Sequence, residues 1–214
     1  MDESSSSKST KNTMPSKDNV NHCNELDNSS ISLDLKNQII TSISSNLEDL
    51  IIENLHNIHQ LYVKNDIFFL YHIPQISIED YIKRLMKYTQ MNISSLILAI
   101  IYIDKMCENN RYVLCFNNIH RLILTSCLLS IKFNEDCSLY NDLYAKISGE
   151  SVDVVNKLEY EFYVLLNFSL FVEYDYYEKY FEYFSQYTKN NNILENNNSY
   201  YECWIIFFYQ NELY

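Results

Sequence analysis

Apolar residues along this chain recur at steps of three and four. The first such run opens at Leu33 and continues through Leu35, Ile39, Ile43, Leu47, Leu50, Ile51, Leu55, Ile58, Leu61 and Tyr62. That period is one face of an α-helix, and no glycine or proline interrupts it. It predicts a long amphipathic helix over 33–64 whose apolar face needs a covering surface. Residues 1–32 are Ser, Asn, Lys and Asp with few apolar groups, too little to offset ordering entropy, and read as a disordered tail. Beyond Pro74 five helices are predicted, at about 78–90, 93–108, 118–133, 138–147 and 152–167. Ser77 is an N-cap candidate followed by Glu79 and Asp80, which suit the positive end of the helix dipole. Asn92, Asn117 or Asn118, and Ser151 are the next cap candidates, and Ser138 is expected to open the fourth helix. Gly149 would end that helix in a left-handed position. Ile93, Leu96, Ile97, Ile100, Ile101 and Ile103 leave almost no polar face before Asp104, so the second of the five should be central and surrounded. Residues 171–214 form an expected helical extension. One helix is marked by Tyr177, Tyr180, Phe181, Phe184 and Tyr187, another by Tyr200 to Leu213, with an Asn-rich loop at 190–198 between them.

Composition sharpens this into an all-α fold. The 214 residues hold one glycine and two prolines, so strand-and-turn punctuation is nearly absent. The formal net charge of −12 disfavours nucleic acid and anionic membrane surfaces, which recruit Lys/Arg patches, and suits a basic protein partner. The longest apolar run, Ile97 to Ile103, is far short of the ~20 residues of a membrane span, and the opening MDESSSSKSTKN is polar, so no signal peptide is expected. Six scattered cysteines form no C-x-x-C pair and read as reduced thiols in an intracellular protein without zinc, cytoplasmic or nuclear or both. Glu53 and His56, with His59 one turn on, make a lone E-x-x-H; its other metal ligands are lacking, so neither metal nor cofactor is expected.

Two charges carry the candidate chemistry. Lys132 ends one apolar helix pattern and Glu159 interrupts another. Charges at the margins of apolar faces cost desolvation energy unless paired, with each other or with a second protein. No Ser or Cys nucleophile stands with an orienting base and acid, so no catalytic site is expected and His120 is read as a helix-start residue. Arg121 is expected to pair with Asp104 or Asp136, Asp104 being read as a member of a structural ion pair. The tyrosine stripe 176–187 is read as core packing with phenol hydrogen bonds, its density also fitting a partner-binding surface as the second reading.

Four segments carry a resemblance. Tyr102-Ile103-Asp104-Lys105 is similar to the Y-I-D-R that closes the second helix of cyclins. Ile119-His120-Arg121-Leu122 resembles the H-R-L/F that opens the third helix in the P/U-type subfamily, which includes the fungal phosphate-signalling cyclin. The stretch from Asn141 to Gly149, with Tyr144, Ala145 and Lys146, resembles N-x-x-Y-A-K-x-G-G. Asn156 to Phe162 resembles N-x-L-E-x-x-F. In order and at this spacing they resemble a single P/U-type cyclin box over 77–170. The resemblance implies a non-enzymatic partner of a cyclin-dependent kinase that holds the mobile regulatory helix of the kinase N-lobe. Lys132 and Glu159 would be its charged pair, Leu129, Phe168 and Leu170 its apolar receivers, and Tyr160 its rim. Asp104, His120, Arg121, Tyr144 and Gly149 would be structural. Lys105 stands where the family has arginine, Ser148 replaces the first glycine, and Ile131 replaces the small residue before the lysine. The M-R-A-I-L recruitment sequence of cell-cycle cyclins is missing, and no such recruitment is expected. A cyclin-fold scaffold or transcription adaptor without a kinase is the alternative, against which the single box and acidic charge argue. An inhibitory rather than activating role remains open.

Overall fold

The computed structural model describes residues 31–55, 66–110, 112–136 and 139–186. Within them lie seven α-helices and no strand: α1 (Leu33–Leu55), α2 (Ile78–Thr89), α3 (Ile93–Asn110), α4 (Ile119–Asn134), α5 (Asn141–Ser148), α6 (Val152–Leu165) and α7 (Tyr174–Gln186). The readings of residues 1–30, of the 33–64 helix beyond Leu55, of His56 and His59, of Ser138 and of everything after Gln186 lie outside the described residues.

Helix α3 is the axle. Ile97, Ala99, Ile101, Tyr102, Ile103 and Met106 are fully buried, as the unbroken apolar run requires. Its chief neighbour is α4, whose Leu122, Ile123, Leu124, Leu128 and Ile131 are equally inaccessible. Each such side chain contributes about 1.5–3 kcal/mol on burial, and truncating one to alanine costs about 2–5 kcal/mol. Helix α6 lies against α4, α5 against α6, and α7 against α3. The face of α1 is covered by α2 and α7, so the amphipathic helix docks within its own chain.

Local signals set most helix ends. Ser77 Oγ accepts the Asp80 N–H at 3.0 Å and Ser151 Oγ accepts that of Val154 at 3.3 Å. Gly149 closes α5 with φ +78°. The asparagine caps behave otherwise. Asn92 Oδ1 finds no donor; the start of α3 is held instead by Glu135, whose Oε1 accepts from Asn92 N (3.0 Å) and Ser95 Oγ (2.6 Å). An anion at this helix end suits the dipole, so the cap comes from the chain just past α4. Asn118 occupies the N-cap of α4, but its amide turns back into the loop, bonding Cys115 N and Val113 O. Helix α5 begins at Asn141, later than expected, after Tyr140 in an extended conformation.

A strap over residues 66–76 has no periodic signal and was not foreseen. Leu70 and Asn117 exchange two hydrogen bonds, Leu70 N to Asn117 O (2.7 Å) and Asn117 Nδ2 to Leu70 O (2.6 Å). Phe68 is buried edge-on against Tyr112 and Phe162, and the Tyr112 hydroxyl donates to Asp66.

Candidate functional site

The end of α4 and the outer face of α6 enclose a groove of about 400 Å³. Helical phase builds it. Lys132 and Phe133 lie one turn beyond Leu129 on α4, while Asn156, Glu159, Tyr160 and Tyr163 share one face of α6. Leu129 is only 5% exposed and forms the floor; Phe133 (54%) and Tyr160 (63%) project as walls. Leu170, past the end of α6, closes one side.

Lys132 Nζ donates to Glu159 Oε1 at 2.6 Å, both side chains partly exposed at 32% and 23%. The other Glu159 oxygen, Oε2, accepts from Asn141 Nδ2 at 2.7 Å, and the same amide donates to Asn156 Oδ1 at 2.7 Å. Asn141 thus ties the start of α5 to α6 and fixes the carboxylate. Both oxygens of Glu159 are engaged, whereas one ammonium proton of Lys132 is committed, leaving donors for a carbonyl above the groove.

The Leu170 edge is held by unusual backbone. Asn167 and Phe168 have φ of 52° and 57°, a left-handed conformation that non-glycine residues seldom adopt. Phe168 N bonds Tyr163 O at 3.0 Å, and the Phe168 ring packs edge-on against Tyr163 at 4.9 Å. Reversed there, the chain presents the Leu170 carbonyl to the Tyr102 hydroxyl (2.9 Å) and the Phe171 carbonyl to Lys105 Nζ (3.1 Å).

Of the expected face residues, Leu129, Lys132, Glu159, Tyr160 and Leu170 line one groove, and Phe168, 58% exposed, stands beside it on Tyr163. Phe133, Tyr163, Asn141 and Asn156 were missed. Tyr163 is four residues from Glu159 and so shares its face, and both asparagines open motifs that were recognised without a role being given to them.

The structural residues bring two corrections. Arg121 pairs with neither Asp104 nor Asp136. Its Nε and Nη2 hold Glu150 Oε1 at 2.8 and 2.6 Å, and Nη1 donates to Ile67 O at 2.7 Å. Glu150 follows Gly149, so the α5–α6 turn brings the acid to the first turn of α4. Asp104 is in no ion pair among the described residues. It is 5% exposed and accepts from the Tyr180 hydroxyl of α7; burial pushes its carboxyl up to about 7, against the lowering effect of that hydrogen bond. His120 is buried against Tyr81, with Nε2 on Ile76 O at 3.0 Å, and burial lowers its pKa. Tyr144 is fully buried in the core, and burial raises its phenol pKa. Cys107, Cys115 and Cys127 are free thiols, with Cys127 pushed up to about 12 by burial. Among the described residues no group of His, Cys, Asp and Glu could hold a metal ion, and no helix is long and apolar enough to cross a membrane.

An all-α domain with a central apolar α3 and a groove between its fourth and sixth helices is a cyclin box, and the family profile described as Cyclin matches residues 2–170. The chain belongs to the cyclin family. Its relatives place it among the P/U-type cyclins. It is 31% identical to Cyclin-U2-1 of Arabidopsis thaliana over 66% of this chain and 65% of that protein, and 35% identical to Cyclin-U2-2 of the same plant over 55% and 51%. It is 29% identical to PHO85 cyclin-7 of Saccharomyces cerevisiae, over 53% of this chain and 44% of the yeast protein. The chain spans about half to two thirds of the length of these curated relatives.

Proposed function

We propose that this chain is a regulatory subunit, without a catalytic site of its own, that binds and activates a cyclin-dependent protein kinase in cell-cycle or nutrient-linked control, in the cytoplasm, the nucleus or both. The observation that carries this reading is the Lys132–Glu159 pair at the mouth of an apolar groove. An amphipathic helix docks in such a groove by its apolar anchors, and an ammonium with spare protons suits the carbonyls at a helix C-terminus. The family and the relative named as a PHO85 cyclin support a kinase partner. Activation would follow from holding the regulatory helix of the kinase inward, which completes the Lys–Glu ion pair that positions its ATP.

The test is titration calorimetry and a phosphotransfer assay with a cyclin-dependent kinase from the same cell. Lys132→Ala would strip Glu159 of its cation within a covered interface. It should weaken binding by about 2–4 kcal/mol, roughly 30- to 1000-fold, mainly through faster dissociation. The free chain should melt almost as before, because both groups reach water there. Wild-type binding and activation by both Lys132→Ala and Glu159→Ala would refute this face.

A further inference from the structure

The groove edge and α7 are held by the same turn of α3. Tyr102 donates to Leu170 O and Lys105 to Phe171 O, the two carbonyls at the groove's Leu170 side. Between them, Asp104 receives the Tyr180 hydroxyl from α7. Lys105 also lies over the ring of Tyr176, one turn before Tyr180 on α7, with Nζ 5.9 Å from the centroid. Asp104 is a buried acid in the α3–α7 seam, and among the described residues no cation offsets it. The groups facing it are Tyr180, and behind it Tyr176, from α7, with Cys107 and Glu108 on its own helix. From the other side of α7, α1 bonds it through two neutral amides, Asn46 to the Tyr183 hydroxyl and Gln38 to Ser185 O.

We propose that α7 is a proton-gated brace for the groove: a protonated Asp104 holds α7 on α3, an ionised one loosens it, and Lys105 passes the change to the Leu170–Phe171 edge. A carboxylate in this seam has one strong donor and a nearby acid, Glu108, that repels it, whereas the neutral acid sits there without charge. When α7 lifts, Asp104 gains water, so ionisation favours the lifted state. Lys105 loses the Tyr176 ring at the same moment, and its hold on Phe171 O slackens. That the edge serves a kinase rests on the function proposed above; the gating of α7 does not.

Hydrogen exchange on the free full-length chain reads the gate directly, with rates corrected for the intrinsic pH dependence of exchange. A carboxyl titrating near 7 with α7 docked and near 3.8 with it lifted makes α7 open about tenfold more often at pH 8 than at pH 6. Amides of 174–186 should lose protection by that factor, and those of Phe168 and Ser169, which bond Tyr163 O and Leu166 O at the same edge, in parallel. Asp104→Asn, which keeps the shape of the neutral acid and ionises in neither state, should make the protection of both sets independent of pH and higher than that of wild type at pH 6. Tyr180→Phe removes the donor and should move the transition to higher pH, which gives a second handle should the Asn variant fold poorly. Wild-type α7 protection independent of pH, or an unchanged pH dependence in both variants, would overturn the proposal. Kinase affinity measured on the same samples should fall with pH in wild type and not in Asp104→Asn. If α7 titrates and affinity does not follow it, the link to the groove is refuted and the gate stands. If no kinase binds at any pH, it is the function of the face that fails, and the exchange result is unaffected.

Discussion

Replacing Arg121 with alanine tests how the box is held together away from the groove. The guanidinium joins three segments: α4, on which it sits, the strap through Ile67 O, and the α5–α6 turn through Glu150. The pair is mostly sheltered, with side-chain exposures of 18% and 21%. Hydrogen bonds to charged groups contribute about 1.5–3 kcal/mol net, but the two to Glu150 share one oxygen and do not add in full. Truncation strands a sheltered carboxylate and one strap carbonyl, although water recovers part of each. The expected loss is about 2–4 kcal/mol, which lowers Tm by about 5–15 °C in a chain of this size. The assay is a denaturant double-mutant cycle with Glu150→Gln, for which a coupling energy of about 1–3 kcal/mol is expected. Exchange at Leu70 should accelerate, since its N–H bond to Asn117 depends on the strap lying flat. Lys83→Ala is the control, because the Lys83–Glu79 pair, 46% and 32% exposed, is worth about 0.3–0.5 kcal/mol. Arg121→Ala within 1 kcal/mol of wild type, by the same order of precision, with no coupling to Glu150, would refute the reasoning.

Two further changes follow from the geometry. Gly149→Ala should cost about 1 kcal/mol by equilibrium unfolding: an added Cβ meets nothing within 4 Å, so only the strain of φ +78° remains, and a neutral result would show that the turn relaxes freely. Asp104 should make the free chain less stable as pH rises. Its folded pKa, about 7, lies above the ordinary value of 3.8, so its stabilising contribution is complete below about pH 4, is lost progressively up to about 7, and is gone above that. The span is about three pKa units, at most about 4 kcal/mol. Unfolding curves from pH 4 to 8 should show that slope in wild type and a flatter one in Asp104→Asn; identical slopes would rule the acid out as their source.

The elements that could be read from the sequence are those whose signal is local. The run from Ile93 to Met106 has too few polar positions to face water, whatever surrounds it. Ser77 and Ser151 cap the next turn of their own helices, and Gly149 stops one by its own backbone. The asparagines mislead because an amide can bond loop carbonyls as well as helix N–H groups, and Asn118 takes the loop. Glu135 was invisible as the cap of α3 because it arrives from 43 residues away. Besides Asp66 and Phe68, the strap over 66–76 is held by its backbone, Leu70 N and the carbonyls of Ile67, Leu70 and Ile76, and backbone leaves no mark on residue type.

The groove divides along the same line. Lys132 and Glu159 stood out in the sequence because each ends or interrupts a helical period, but period fixes a face and not its neighbour, and their pairing with each other came from the resemblance. Asp104 was assigned an ion pair because a buried acid seemed to require a cation, yet a phenol from a later helix serves, and the tyrosine stripe that supplies it reads equally as packing. The Leu170 edge was hardest to foresee, since it depends on two successive residues, Asn167 and Phe168, leaving the helix at positive φ. Each costs about 1–2 kcal/mol. Nothing in the residue types asks for this, because glycine would have been cheaper. What offsets it is tertiary: the Phe168 ring on Tyr163 and the Tyr102 hydroxyl on Leu170 O exist only when the chain reverses there. A glycine at 168 would relieve the strain and lose the ring. The aromatic residue therefore makes the edge a rigid wall of the groove rather than a loose turn beside it.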